Sequence, residues 1–155
     1  MIKKYGFPVF MAIIVTGLII AALNKDKLYD LLTRQIQKQN TSETEFQAKE
    51  YIEKHFNYNK NKQDFEFTLL QFKSTGCNIC KQMEPVIEEI RNEETFKVKV
   101  QVIQIMNPDS QEMMKFFGIS AVPMHIVLNK EGKEVFRNYG FIAAEELRTK
   151  FLSNK

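Results

Sequence analysis

From Phe7 to Leu23 the chain runs FPVFMAIIVTGLIIAAL without a charge, with Lys3 and Lys4 before it and Lys25, Asp26 and Lys27 after it. Setting that segment aside leaves roughly 130 residues, enough for one compact domain with a single core and too few for two. At 1.5 Å per residue the run covers about 25 Å as a helix, within the range of a single bilayer span. A cleaved signal peptide is the rival, but Ile20 ahead of Ala21, Ala22 and Leu23 spoils the small-x-small cleavage pattern. The expectation is an uncleaved anchor over residues 1–24, a juxtamembrane helix or linker over 25–42 and a globular domain over 43–155. Lys3, Lys4 and the terminal amine nearly balance Lys25, Lys27 and Arg34, so charge barely decides the orientation. A short tail before a first apolar segment usually stays in the cytoplasm, which places the domain on the extracytoplasmic side of a single-pass cell-membrane protein.

Lys and Arg outnumber Asp and Glu by only 22 to 19, and the charges are interspersed. No field results that would attract nucleic acid, and the Lys-rich stretch around Lys60 and Lys62 is a solvated surface. The only two cysteines lie three apart, as Cys77-Asn78-Ile79-Cys80. A disulfide framework would need more of them, and tetrahedral zinc would need ligands that only His55, His125 or carboxylates could add. His55 falls in a helical stretch and His125 in an apolar strand, so both are read as packing or surface residues. Met113 and Met114, adjacent on a helix, point in different directions and are core. No metal and no cofactor is expected. An exported domain meets an oxidising compartment, where a cysteine pair can cycle.

Along the domain, Leu28, Leu31, Leu32 and Ile36 recur at helical spacing. Asn40, Thr41 and Ser42, with Glu45 three residues after Ser42, mark the start of a second helix carrying Phe46, Ala48, Tyr51 and Ile52. Residues 57–62 are expected to be a loop. Phe65 to Phe72 form a buried strand running into a turn at Ser74, Thr75 and Gly76. Ile79, Met83, Val86, Ile87 and Ile90 then place a helix from about Cys77 to Asn92, with Pro85 inside it and expected to kink it. A strand follows from Val98 to Met106, then a helix closing at Gly118, a hairpin of His125–Leu128 with Glu134–Tyr139, and a last helix through Leu147 and Phe151.

A cysteine pair at the start of a helix is chemically favoured, because the first sulfur lies by unpaired backbone N–H groups whose dipole stabilises a thiolate. Cys77 is the expected nucleophile, and Cys80, one turn on, the thiol that resolves a mixed disulfide. Zinc knuckles and iron–sulfur proteins use the same spacing, so the pair alone does not decide.

Two separated stretches are more specific. FKSTGCNICKQMEP resembles the active-site segment of the thioredoxin family, with Lys81 after the second cysteine and Pro85 at the family's helix-kink position. Downstream, FGISAVPMHIVLNKEGKEVFRNYG resembles the family's cis-proline stretch, hairpin and glycine, mapping onto Pro123 and Gly140. The resemblance covers about Phe65 to Leu152. It implies a thioredoxin-like α/β fold, a central mixed β-sheet flanked by helices, preceded here by the N-terminal transmembrane helix. It implies a cis Val122-Pro123 bond beside the cysteine pair, where Val122, Pro123, Asn78 and Ile79 would meet an extended substrate. The implied activity is thiol–disulfide exchange, with exported proteins bearing disulfides or dithiols as partners and an upstream electron donor or acceptor.

Departures from the family bear on the chemistry. Gly76 stands where thioredoxins carry tryptophan, Asn78-Ile79 replaces Gly-Pro, and Gln71 occupies the place of the buried acid. Another base must serve Cys80. Glu84, one helical turn after it, is the candidate catalytic acceptor, and some exported disulfide oxidases of the Dsb type carry a glutamate at that spacing. Reduction of exported disulfides is the favoured direction. The alternatives are an oxidase or isomerase, or a binding and assembly module whose cysteine pair is a structural disulfide.

Overall fold

A computed structural model describes residues 6–155, so Lys3 and Lys4, on which the orientation argument drew, lie outside the described residues. The uncharged run forms α1 (Gly6–Leu23), followed by α2 (Lys25–Lys38), α3 (Ser42–Phe56) and a single turn, α4 (Tyr58–Asn61). The domain proper runs β1 (Phe67–Lys73), α5 (Asn78–Arg91), β2 (Val98–Gln104), α6 (Gln111–Phe117), β3 (Met124–Asn129), β4 (Glu134–Tyr139) and α7 (Ala144–Ser153). Strand order is β2-β1-β3-β4, with β1 and β2 parallel across the α5 crossover and β3 antiparallel to both neighbours.

Side-chain alternation along the strands sorts the core into two layers. Phe67 and Leu69 of β1 and Val127 of β3 pack with Met83, Ile87 and Ile90 of α5 and Leu147 and Phe151 of α7. Leu70 and Phe72, with Met124, Ile126 and Leu128, pack on the other face against Ala48, Ile52 and Phe56 of α3 and Met113 and Phe117 of α6. Mixed pairing and helices on both faces agree with the sequence expectation. The parity also assigns two polar residues: Gln71 and His125 fall on the α5 face.

Three boundaries differ from the sequence reading. Residues 57–62 are a helical turn instead of a loop, because the Asn57 side chain accepts from the Lys60 N–H and buried Tyr58 hydrogen-bonds Thr68 of β1. The cap of α3 is Thr41, whose hydroxyl accepts from Thr44 N–H at 3.1 Å, so Ser42 is already helical. β2 ends at Gln104, two residues short of Met106, which lies in a turn and is strongly exposed.

The segment ahead of the domain is docked rather than a free spacer. Tyr29 of α2 stacks on Tyr139 of β4, ring centroids 4.2 Å apart. The Thr33 hydroxyl, buried, lies 2.6 Å from the Tyr139 hydroxyl and 3.1 Å from the Gly118 carbonyl. Gln37 donates to the Phe116 carbonyl. Gly118 is the left-handed cap of α6, φ 63°, and a Cβ there would stand 2.7 Å from the Thr33 carbonyl. Only glycine closes α6 and admits α2 at that distance. Among the described residues no single helix is long and apolar enough to cross a membrane. Phe7–Leu23 and Lys27–Lys38 together meet that test, across a bend of 76°.

Candidate active site

The parallel β1 and the α5 crossover bring the cysteines to the end of the sheet where β1 stops at Lys73. Gly76 takes φ 79°, turning the chain so that Cys77 becomes the N-cap of α5. Its sulfur accepts the Cys80 backbone N–H at 3.1 Å, the contact that the helix-start argument requires of a sulfur poised over unpaired amides. The two cysteines are joined as a disulfide, Cα–Cα 5.2 Å. Cys77 is half-buried, whereas Cys80 is 1% exposed. An incoming sulfur can reach only the first.

The Val122-Pro123 peptide is cis. Pro123 precedes Met124, which pairs with Phe72 next to the end of β1, so the proline lies at the same end of the sheet as the cysteines. Its carbonyl accepts from Gly140 N–H at 2.9 Å, tying the proline segment to the exit of β4. Asn78 and Ile79 are exposed on the first turn of α5, Ile79 presenting an apolar side chain beside the disulfide.

A shallow cleft of about 190 Å³ opens beside the pair, lined by Lys73, Gly76, Cys77, Cys80, Glu84 and Gln104 among others. Glu84 therefore lines one cavity with both cysteines. Its Oε1 is 3.0 Å from Lys73 Nζ, a partner that sequence spacing did not suggest.

A family model described as a thioredoxin-like domain matches residues 52–153. The chain belongs to the thioredoxin family. Over 80 residues it is 32% identical to thioredoxin of Bacillus subtilis (strain 168), an alignment covering 52% of this chain and 74% of that protein. Thioredoxin of Haemophilus influenzae is 30% identical over 79 residues, covering 51% of this chain and 71% of its own length. In structure, the pneumococcal exposed lipoprotein thioredoxin Etrx1 of Streptococcus pneumoniae strain TIGR4 superposes with a TM-score of 0.53 at 17% identity, covering 60% of this chain and 88% of that one. A mutant thioredoxin from Halobacterium salinarum NRC-1 gives 0.51 at 23% identity, covering 59% and 77%. Membership and the Cys77–Cys80 pair make this chain a thiol–disulfide oxidoreductase.

Gln71, in the place of the thioredoxin buried acid, is 1% exposed, and its amide nitrogen lies 3.4 Å from Nε2 of fully buried His125. Burial pushes the His125 pKa down to about 4, which the Asn138 backbone offsets only in part; Nδ1 makes no hydrogen bond of full geometry. No Asp, Glu, Lys or Arg is buried among the described residues. From sequence alone His125 reads as a packing residue. Its register opposite Gln71, set by the antiparallel β1–β3 pairing, is the signal that pairs the two buried polar side chains on the α5 face.

Proposed function

We propose that the chain is a membrane-tethered reductase of disulfides in exported proteins, with Cys77 as attacking thiolate and Cys80 as resolving thiol. The observation that carries the exchange chemistry is the asymmetry of the pair: a half-buried cysteine at the α5 N-terminus and a fully buried one a turn behind it. In the reducing cycle the dithiol form meets a substrate disulfide. Cys77 thiolate attacks one sulfur, the substrate S–S bond breaks, and the second substrate sulfur leaves as a thiolate. Cys80 then gives up its proton and attacks Cys77 Sγ. The enzyme disulfide forms, the mixed disulfide breaks, and the substrate departs with two electrons; a reducing partner restores the dithiol. Val122 and Pro123 offer the extended backbone against which a substrate strand can lie, and Ile79 offers apolar contact.

The proton from Cys80 needs an acceptor. A glutamine cannot take it, and His125 is held neutral with a pKa too low to keep a proton at neutral pH. Glu84 is the carboxylate in the cleft that both cysteines line, with Lys73 Nζ 3.0 Å from its Oε1. Replacing Glu84 by Gln is expected to slow resolution of the mixed disulfide on the order of 100-fold at neutral pH, with Asp restoring part of it. Stopped-flow exchange against pH reads this. An unchanged rate and profile in Glu84→Gln would remove Glu84 from the mechanism.

Tethering is supported by α1, whose large apolar side chains, among them Phe7, Phe10, Ile13 and Leu18, stand exposed along its whole length. Such a surface is stable in hydrocarbon and unstable in water. With the anchor crossing the membrane, the domain lies on the extracytoplasmic side. The test is Cys80→Ala in the full chain, expressed in membranes and quenched with acid and alkylating agent. Covalent adducts with exported proteins are expected. Adducts confined to cytoplasmic proteins would overturn the location, and the absence of adducts would overturn the exchange reading.

A further inference from the structure

The two faces of α2 have different jobs. One face is committed to the domain through Tyr29, Thr33 and Gln37. Away from it, Leu28, Leu31 and Leu32 recur at i, i+3 and i+4 and remain 48%, 59% and 42% exposed. At about 100° per residue, Lys27, Arg34 and Lys38 fall together along one flank of that leucine stripe, while Lys25 flanks the other side. Asp30 lies outside the stripe, between the basic flank and the domain face. A leucine stripe bordered by long basic side chains is the pattern of a helix lying in a membrane interface: the leucines enter the acyl boundary and the ammonium and guanidinium heads reach lipid phosphates.

We propose that α2 lies flat on the bilayer surface, its leucine stripe in the interface of anionic lipids, and clamps the redox domain to the membrane in one orientation. The proposal rests on the reading of α1 as a membrane anchor. The occupant follows from continuity with α1, which joins α2 through Asn24 with a bend of 76°, so an upright α1 leaves α2 near the membrane plane. Charge complementarity to anionic headgroups points the same way. A bilayer covers all three leucines together with the uncovered α1.

The consequence for function lies in where α2 grips the domain. Gly118 opens the segment leading to Pro123, and Tyr139 pairs with Met124, the residue after that proline. The clamp therefore holds the same end of the sheet that carries the cysteines. The cysteine pair is kept close to the lipid surface, and membrane-proximal disulfides are its substrates in preference to freely diffusing ones.

The chain has no tryptophan, so one introduced residue reports alone. Leu31→Trp, Ile13→Trp and Leu152→Trp are each reconstituted as the full chain in vesicles of phosphatidylglycerol and phosphatidylcholine, with and without bromine on the acyl chains. Leu152 is an exposed residue of α7, in the layer opposite α2's contacts. Expected are at least twofold quenching by brominated lipid at positions 13 and 31, and none at 152. Quenching at 13 but not at 31 overturns the interfacial helix while leaving the anchor intact. No quenching at 13 overturns the anchor and this proposal with it. Protection of position 31 by a second copy, seen as cross-linked dimers through α2, also overturns it.

Discussion

With Cys77 replaced by serine, disulfide exchange is expected to fall to the uncatalysed background, while Cys80→Ala keeps the first attack and stalls as a mixed disulfide. The asymmetry follows from position. Cys77 caps α5 with its sulfur against the Cys80 amide and part of its surface open. A serine hydroxyl there can cap the helix equally well, so the fold should survive while the nucleophile is lost. Cys80 is sealed behind it at 1% exposure and can be reached only by the sulfur beside it. Single-turnover exchange with a disulfide peptide, followed by mass spectrometry, separates the two outcomes. Reduced wild-type protein should be alkylated first at Cys77, far faster than a free thiol. Equal alkylation at both cysteines, or turnover by Cys77→Ser, would show that the pair is not used in this order. A purely structural disulfide would show neither the fast first alkylation nor the trapped intermediate.

What could be read in the sequence was chemistry that a residue carries by itself or within one turn. The Cys77–Cys80 spacing places the pair on a helix start, Gly118 marks a left-handed cap, and the hydrophobic periodicity of α5 predicts its limits to within a residue. Pro123 was legible only through the order of motifs around it, since nothing local distinguishes a cis proline from one at a strand edge. The missed features are long-range. α4 exists because Tyr58 is buried against Thr68 of β1, while its own Asn- and Lys-rich composition argues for a loop. The docking of α2 joins Thr33 to Tyr139, 106 positions away, and a buried polar pair joins Gln71 to His125 across 54. Neither pairing leaves a trace in local periodicity. Both become visible once strand register is known, because alternation then says which polar residues share a face.

The buried His125 makes stability depend on pH in a predictable direction. His125 titrates near 4 in the fold and near 6.5 when unfolded. Above 6.5 it is neutral in both states and contributes no pH dependence. Between 6.5 and about 4 the unfolded chain takes up a proton that the folded chain refuses, so stability is lost as pH falls across that window, and the loss levels off below it. That separation corresponds to about 3 kcal/mol. It is a large part of the stability of a domain this size, typically about 5–15 kcal/mol. No buried carboxylate, Lys or Arg among the described residues stands ready to compensate, and Gln71 and Asn138 are the strand partners opposite His125. Denaturant unfolding of the oxidised protein at steps from pH 7.5 to 4 should show this slope, and His125→Leu should flatten it while leaving the carboxylate-driven loss at lower pH. Leucine also removes the ring nitrogen that meets the Gln71 amide, a loss that shifts the whole stability curve by the same amount at pH 5 and pH 7. The comparison that decides is therefore the difference between the two proteins as a function of pH. A difference that stays constant from 7.5 to 4 would mean that the fold does not lower the proton affinity of His125.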